Sequence, residues 1–519
     1  MKTQTLHEQK KDEQSTQNAE KITSSPLLNE IGSLSDYTLS FAASVAMAIL
    51  IITPALMAVI AMFKQSIDFT MNLYIPMVKH LAFPFACSIV LLIYILYIIR
   101  LIKTKANIKN ILLQNPAFII FFIVSILIII SQLFNGIEYA ILGTSAVTLG
   151  ESFGMEISYF VFILFGATQV KIESHKRNLL RTHCFISTIL VDAAFILLNT
   201  QVDSNFFNDW TPRFSSIFSN TNYYGYYLAV SVPLAAALFV YENHKLWKVF
   251  AVLAFISNTV ALSFNNTLGS WIGAFLAVIF IVIAHLIIEK KVNWQALILI
   301  PIFALCLYIP SHIIGDFENN FTTLFGDVSK IAQGGEEAEY AGSGRWRVWK
   351  ESMEIIYDNS ILGIGFEGVK QRDYIGPPYN IRPHNEFMQY AMFHGVPMAF
   401  LYFAGCLAIF IRALRKKKVI NGATLVSLAG AFGYLISSCF GLTLFATGYF
   451  LFIFLGMGYV TDSNTLSIEN KDTRSHNKII ILILSSLLVI SVLLTAIFAS
   501  NGKGYYKNGI QDFSERTDY

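Results

Sequence analysis

Residues 386–411, EFMQYAMFHGVPMAFLYFAGCLAIFI, read as one apolar run, and about 20 such residues suffice to cross hydrocarbon as a helix. The run is entered from the longest polar interval of the chain, 314–385, which closes on Arg382-Pro383-His384-Asn385. Working outward, further candidate spans lie at 38–62, 73–99, 114–134, 155–170, 182–199, 222–240, 247–264, 271–288, 295–313, 419–440, 442–461 and 478–500. The chain of 519 residues is 55% hydrophobic and only 14% charged. The expected fold is an all-α polytopic membrane protein of about 12–13 transmembrane helices, with a large extracytoplasmic loop between spans 9 and 10.

The basic residues orient the spans. Arg100, Lys103, Lys105 and Lys109 cluster, as do Lys171, Lys176, Arg177 and Arg181, the pair Lys290 and Lys291, and the run Arg412 to Lys418. Placing these inside gives a consistent alternation, with the N-terminus cytoplasmic and 135–154, 200–221 and 314–385 outside. The expected organisation is a disordered cytoplasmic tail (1–37), an N-terminal transmembrane bundle (38–313), an extracytoplasmic catalytic loop (314–385), a C-terminal bundle (386–500) and a short tail (501–519). The five cysteines lie in or beside apolar runs without a CxxC or a His/Cys cluster, so no disulfide framework or metal site is expected. No nucleotide-binding loop is present, and nothing points to nucleic acid.

With that orientation Arg213, Arg345, Arg347, Arg372 and Arg382 stand outside, against the usual bias. A solvated charge accounts for any one of them; several beside aromatics and glycines point to an anionic ligand. Residues 314–342 are acidic and are expected to be mobile. Trp346, Trp349, Met353 and Ile356 then recur at helical spacing, predicting a short amphipathic helix at the membrane surface, capped by Ser343 and ended by Asp358-Asn359. Its tryptophans are expected to anchor at headgroup level, and Gly363 and Gly365 mark a turn that lets backbone approach something closely. His384 falls at the N-terminus of the helix that Asn385 caps, where the dipole disfavours imidazolium. Glu386 either orients that ring or opposes the shift. Arg345 begins the surface helix, where a guanidinium beside free N–H groups suits a diphosphate, and Arg213 offers a second. Arg347 and Arg382 are weaker candidates, and Trp349 and Asn222 supporting ones. Tyr223, Tyr224, Tyr226 and Tyr227 read as an interface belt before sugar-stacking groups. Within the spans Asp192 and His285 are the charges singled out, fewer than an ion-coupled transporter would show.

Three stretches resemble the bacterial O-antigen ligase and polysaccharide polymerase superfamily. They are Ser343-Gly344-Arg345 with Trp349 and Leu362-Gly363-Ile364-Gly365; Pro383 to Gln389 with His394-Gly395-Val396-Pro397; and Arg213-Phe214-Ser215 through Asn220-Thr221-Asn222. The similarity covers roughly 200–460. Asn-Thr-Asn stands where members carry Asn-Pro-Asn, and the turn Asn265 to Trp271 lacks the arginine members often have. The resemblance implies a GT-C-like helical fold and a glycosyltransferase in the bacterial cytoplasmic membrane. Its donor would be a polyprenyl-diphosphate-linked oligosaccharide, with inversion at the anomeric carbon and no metal or cofactor. His384 would then be the general base, and Arg345 and Arg213 the diphosphate ligands. Partners would be the lipid-linked donor and acceptor, the bilayer, and chain-length regulator and flippase proteins. A polymerase of repeat units is preferred here to a ligase acting on lipid, protein or wall polymer; a lipid-linked sugar flippase is the reading outside enzymes.

Overall fold

A computed structural model describes residues 36–64, 83–103, 116–135, 153–170, 172–201, 216–218, 221–313, 316–342, 344–365, 382–416, 420–441 and 445–460. Among these residues every regular element is helical. The N-terminal part comprises α1 (Asp36–Lys64), α2 (Phe83–Lys103), α3 (Pro116–Asn135), α4 (Phe153–Gln169) and α5 (Glu173–Gln201). A 3-10 turn (Ser216–Phe218) leads to α6 (Thr221–Tyr241), α7 (Lys245–Asn265), α8 (Leu268–Glu289) and α9 (Trp294–Ile313). The former polar interval holds α10 (Asp316–Gln333), α11 (Glu336–Glu339) and α12 (Arg345–Asp358). The chain continues through α13 (Glu386–His394), α14 (Val396–Arg415), α15 (Gly422–Ser438) and α16 (Phe445–Met457). Six of the described helices are long and apolar enough to cross a membrane: part of α1, α6, α7, α8, most of α9, and α14. The protein is a polytopic membrane protein. The candidate span 478–500, the tail 501–519 and residues 1–35 of the N-terminal tail lie outside the described residues.

The centre of the bundle is α6, flanked by α15 and α8. Small residues bring these helices together: a Cβ on Gly433 would sit 2.0 Å from the Ala229 carbonyl, and one on Gly273 2.5 Å from the Gly433 carbonyl. In a bilayer, where apolar burial gives little drive between helices, such close backbone contact is what packing has to offer.

Two ends of the bundle differ in chemistry. At one, Arg181 grips Glu242 through Nε and Nη2, both 2.9 Å from carboxylate oxygens. Beside it Arg177 donates to the Tyr241 carbonyl, Lys176 to that of Met457, and Arg412 to that of Val460. At the opposite end lie the start of α6, the α7–α8 turn, the end of α15 and the loop helices. Asn265 there donates to the Thr221 carbonyl (2.8 Å), and Phe440 packs on Gly269.

The interval 314–342 contains the helices α10 and α11. One sequence expectation changes here. The run 386–411 is not one span but a helical hairpin. Gly395, at φ 91°, breaks it, and α13 folds back on α14. A continuous helix would hold residues 386 and 402 about 24 Å apart. Instead Tyr402 donates to Glu386 Oε1 at 3.0 Å, and Phe387 meets Phe403 with ring centroids 5.7 Å apart. His384 therefore sits at the foot of the hairpin, not at the top of a transmembrane helix.

Candidate functional site

The glycines at 342 and 344, with φ of 63° and 81°, turn the chain into α12. Gly344 provides no side-chain cap, and Ser343, expected to cap, lies outside the described residues. Ser352, Ile355 and Ile356 face the protein, while Met353 is 57% exposed, so Met353 does not share the buried stripe that its spacing suggested. The helix ends at Asp358 with Asn359 as its cap, as its sequence indicates. At its first residue Arg345 donates through Nη1 to the carbonyl of Phe440 (3.2 Å), which brings a guanidinium to the end of α15.

His384 is held from both sides. Before it, the Trp349 indole donates to the Pro383 carbonyl at 2.5 Å. After it, Asn385 Oδ1 accepts from the amide of Met388 at 3.1 Å, capping α13. Between these fixings His384 adopts φ 47°, a left-handed conformation that costs a non-glycine residue about 1–3 kcal/mol and persists only when the surroundings impose it. Burial, then the positive charges of Arg345 and Arg382, lower its pKa to about 4. The ring is thus neutral at physiological pH and able to accept a proton. The helix dipole acts in the same direction, but burial and the two guanidinium groups dominate.

The remaining candidates divide. Arg382 reaches His384 electrostatically. Arg347 is half-exposed and pairs with Glu351 at 3.7 Å, along its own helix. Asn222 lies half-buried in the first turn of α6. Glu386 is buried and bound by Tyr402, so it serves the hairpin. Trp349, expected as a membrane anchor, joins α12 to the His384 segment. Arg213, with Arg372, lies outside the described residues. The tyrosines of α6 are not an interface belt: Tyr224, Tyr226 and Tyr227 are buried, against Phe218, Tyr434 and Phe450.

The Gly363 turn makes the expected close approach, and its partner is the protein's own backbone. A Cβ on Gly363 would lie 2.4 Å from the Phe393 carbonyl carbon, and one on Gly395 2.0 Å from the Ile361 oxygen. Ile364 donates to Met392 and Val396 to Ser360, so the turn is stitched across the hairpin apex. Ser131 Oγ, from α3, lies 2.6 Å from the Leu362 oxygen and 3.1 Å from that of Phe393. Sequence reasoning missed the polar pair at this apex, His394 and Glu156, whose Nε2 and Oε2 are 2.7 Å apart and buried. Each was visible inside an apolar run; that they meet across 238 positions was not.

Residues 249–403 match the family model described as O-antigen ligase. That match supports the O-antigen ligase and polymerase superfamily. It covers α7 to the upper part of α14, and so includes α12, His384 and the whole of α13. The three stretches that resemble this superfamily in sequence overlap it in two cases; the third, around Arg213, precedes it. Among the curated proteins none matches the chain. The family indicates a glycosyltransferase-like enzyme that acts on lipid-linked glycans in a membrane.

Proposed function

We propose that the chain is a polymerase that joins polyprenyl-diphosphate-linked oligosaccharide units at the outer face of the cytoplasmic membrane. One observation carries the reading: a neutral His384 lies within electrostatic reach of Arg345 and Arg382, at the bundle end opposite the Arg177–Arg181–Arg412 cluster. With the basic end inside, the His384 end faces outward, where no nucleotide sugar is present and a lipid diphosphate must be the leaving group.

In the reaction an acceptor hydroxyl oxygen attacks the anomeric carbon of the donor sugar. Its proton passes to the His384 imidazole as general base, which accounts for about 10²–10⁴-fold in rate. The bond from the anomeric carbon to the phosphate oxygen breaks, and the polyprenyl diphosphate departs with the electron pair. Attack opposite that group inverts the anomeric centre. Arg345 and Arg382, with Arg213 and Arg347 as further candidates, neutralise the charge that builds on the departing phosphate. Arg345 also stands beside the Asn265–Trp271 turn, through Phe440, and so supplies a guanidinium where that turn has none. Trp349 and Asn385 hold the base, and Asn222 lines the neighbouring helix end.

The description of the matched family favours a second reading, ligase-type transfer of the glycan to another acceptor. Purified protein given a lipid-linked glycan separates the two: a ladder of lengthening lipid-linked products means polymerase, a single addition to a lipid, protein or wall acceptor means ligase. His384→Ala and Arg345→Ala are each expected to abolish product formation while the protein remains folded. Wild-type product from both variants would remove catalysis from this loop altogether.

A further inference from the structure

We propose that Glu156 is a positioning residue for His384, acting through His394; this rests on the reading of His384 as the base. The two histidines stand at opposite ends of α13. His394 ends the helix at the apex of the hairpin, and its Nε2 meets the carboxylate of Glu156, from the first turn of α4, at 2.7 Å. The pair is buried, with His394 1% and Glu156 5% exposed, and Glu156 lies within electrostatic reach of Tyr159 and Tyr390. Polar side chains in such a place are costly unless a fixed geometry is gained from them.

At the apex α13 is tied to α3 and to the Gly363 turn, while its foot is tied to α14 through Glu386 and Phe387. Ser131 from α3 touches the Phe393 carbonyl, Asn135 Nδ2 donates to the Gly363 carbonyl at 3.2 Å, and Gly395 admits no side chain. Those ties hold the backbone of the turn. The Glu156 contact is different, because it grips a side chain of α13 from a helix that touches neither the turn nor α12 through any of these bonds. Together with the Tyr402 and Trp349 contacts at the foot, it fixes the rotation and tilt of α13. A helix of nine residues is a rod about 14 Å long, so a tilt of about 4° at the apex moves its foot by roughly 1 Å. A displacement of that size at a reacting group can cost about a hundredfold in rate. Glu156 and His394 touch no substrate; they fix the place from which His384 works.

The test uses the full-length protein in nanodiscs, with polyprenyl-diphosphate-linked glycan extracted from the membranes of the source cells. Glu156→Ala and His394→Ala are expected to lower kcat by about tenfold or more while KM for the glycan stays within about twofold. Glu156→Gln, which keeps the shape and an accepting oxygen, is expected to recover most of the rate. The double variant should be no slower than the worse single one, since the two act as one contact. A folded Glu156→Ala protein with wild-type kcat, or a loss confined to KM, overturns the proposal. So does failure of all these variants to fold, which would assign the pair to bundle stability alone. His384→Ala runs beside them: if it too turns over normally, the base assignment has failed; if it is dead while Glu156→Ala is not, only the positioning role has.

Discussion

Three influences converge on the imidazole of His384: burial, Arg345 and Arg382, all favouring the neutral ring. In the free enzyme the acid limb of kcat/KM should therefore fall near pH 4, well below the ordinary histidine value. A bound diphosphate adds negative charge and favours imidazolium, so the acid limb of kcat should lie higher. Arg382→Gln removes one positive neighbour and should move the free-enzyme limb upward. Rates measured from pH 4 to 8 check both shifts; a limb at the ordinary value, unmoved by Arg382→Gln, would contradict the environment described. Much of this residue was legible beforehand. Pro383-His384-Asn385 before an apolar run announces a capped helix start, and Asn385 caps as expected. The positive φ and the burial were not legible, because they depend on tertiary contacts such as that of Trp349, some thirty-odd positions earlier, with Pro383.

At the scale of elements, the helix α12 could be read from its sequence almost to the residue, because its spacing and its ending are local properties. The hairpin of α13 and α14 could not. Hydrophobicity runs through 386–411 without a gap, and a span is the default for such a run. The available signal was Gly395 followed by Pro397, a glycine just past one helix and a proline in the first turn of the next. Gly395→Ala should be severe, since φ 91° strains any L-residue and its Cβ would collide with the Ile361 carbonyl. We expect a loss of stability in detergent, read as a lowered Tm, together with loss of transfer. Ser131→Ala is milder: it strips buried carbonyls of a donor, a cost of about 1–3 kcal/mol. An unchanged Tm in Gly395→Ala would mean that the apex is looser than its contacts imply.

Across the whole molecule, the basic end was legible as clusters of Lys and Arg, but the acid that gathers them was not singled out. Glu242 is 1% exposed at its side chain and sits between Arg181 and Arg177. Burial pushes its pKa up, yet the Arg181 hydrogen bond and charge and the amides of His244 and Asn243 outweigh it, leaving it at about 2. Because the folded value lies below the unfolded one, its contribution is full above about pH 4.5 and is lost as pH falls toward 2. Glu242→Ala strips Arg181 of its carboxylate, while Arg177 keeps Glu173, and should cost about 3–5 kcal/mol at neutral pH, measurable by thermal unfolding. The orientation is tested separately: a phosphatase fused at Gly335 should be active in cells, and one fused after Lys416 inactive. Reversed activities would put the His384 end in the cytoplasm and end the proposed reaction.

The fold-back of α13 has a consequence for how a membrane-bound substrate meets the enzyme. Tyr402, beside the foot of the hairpin, lies six residues into α14, so the foot is roughly 9 Å lower than the apex along that helix. In the proposed reaction His384 would thus work from below the hairpin apex, on the bilayer side of it. A lipid-borne pyrophosphate would then have less far to rise, and the incoming sugar would be the partner that descends.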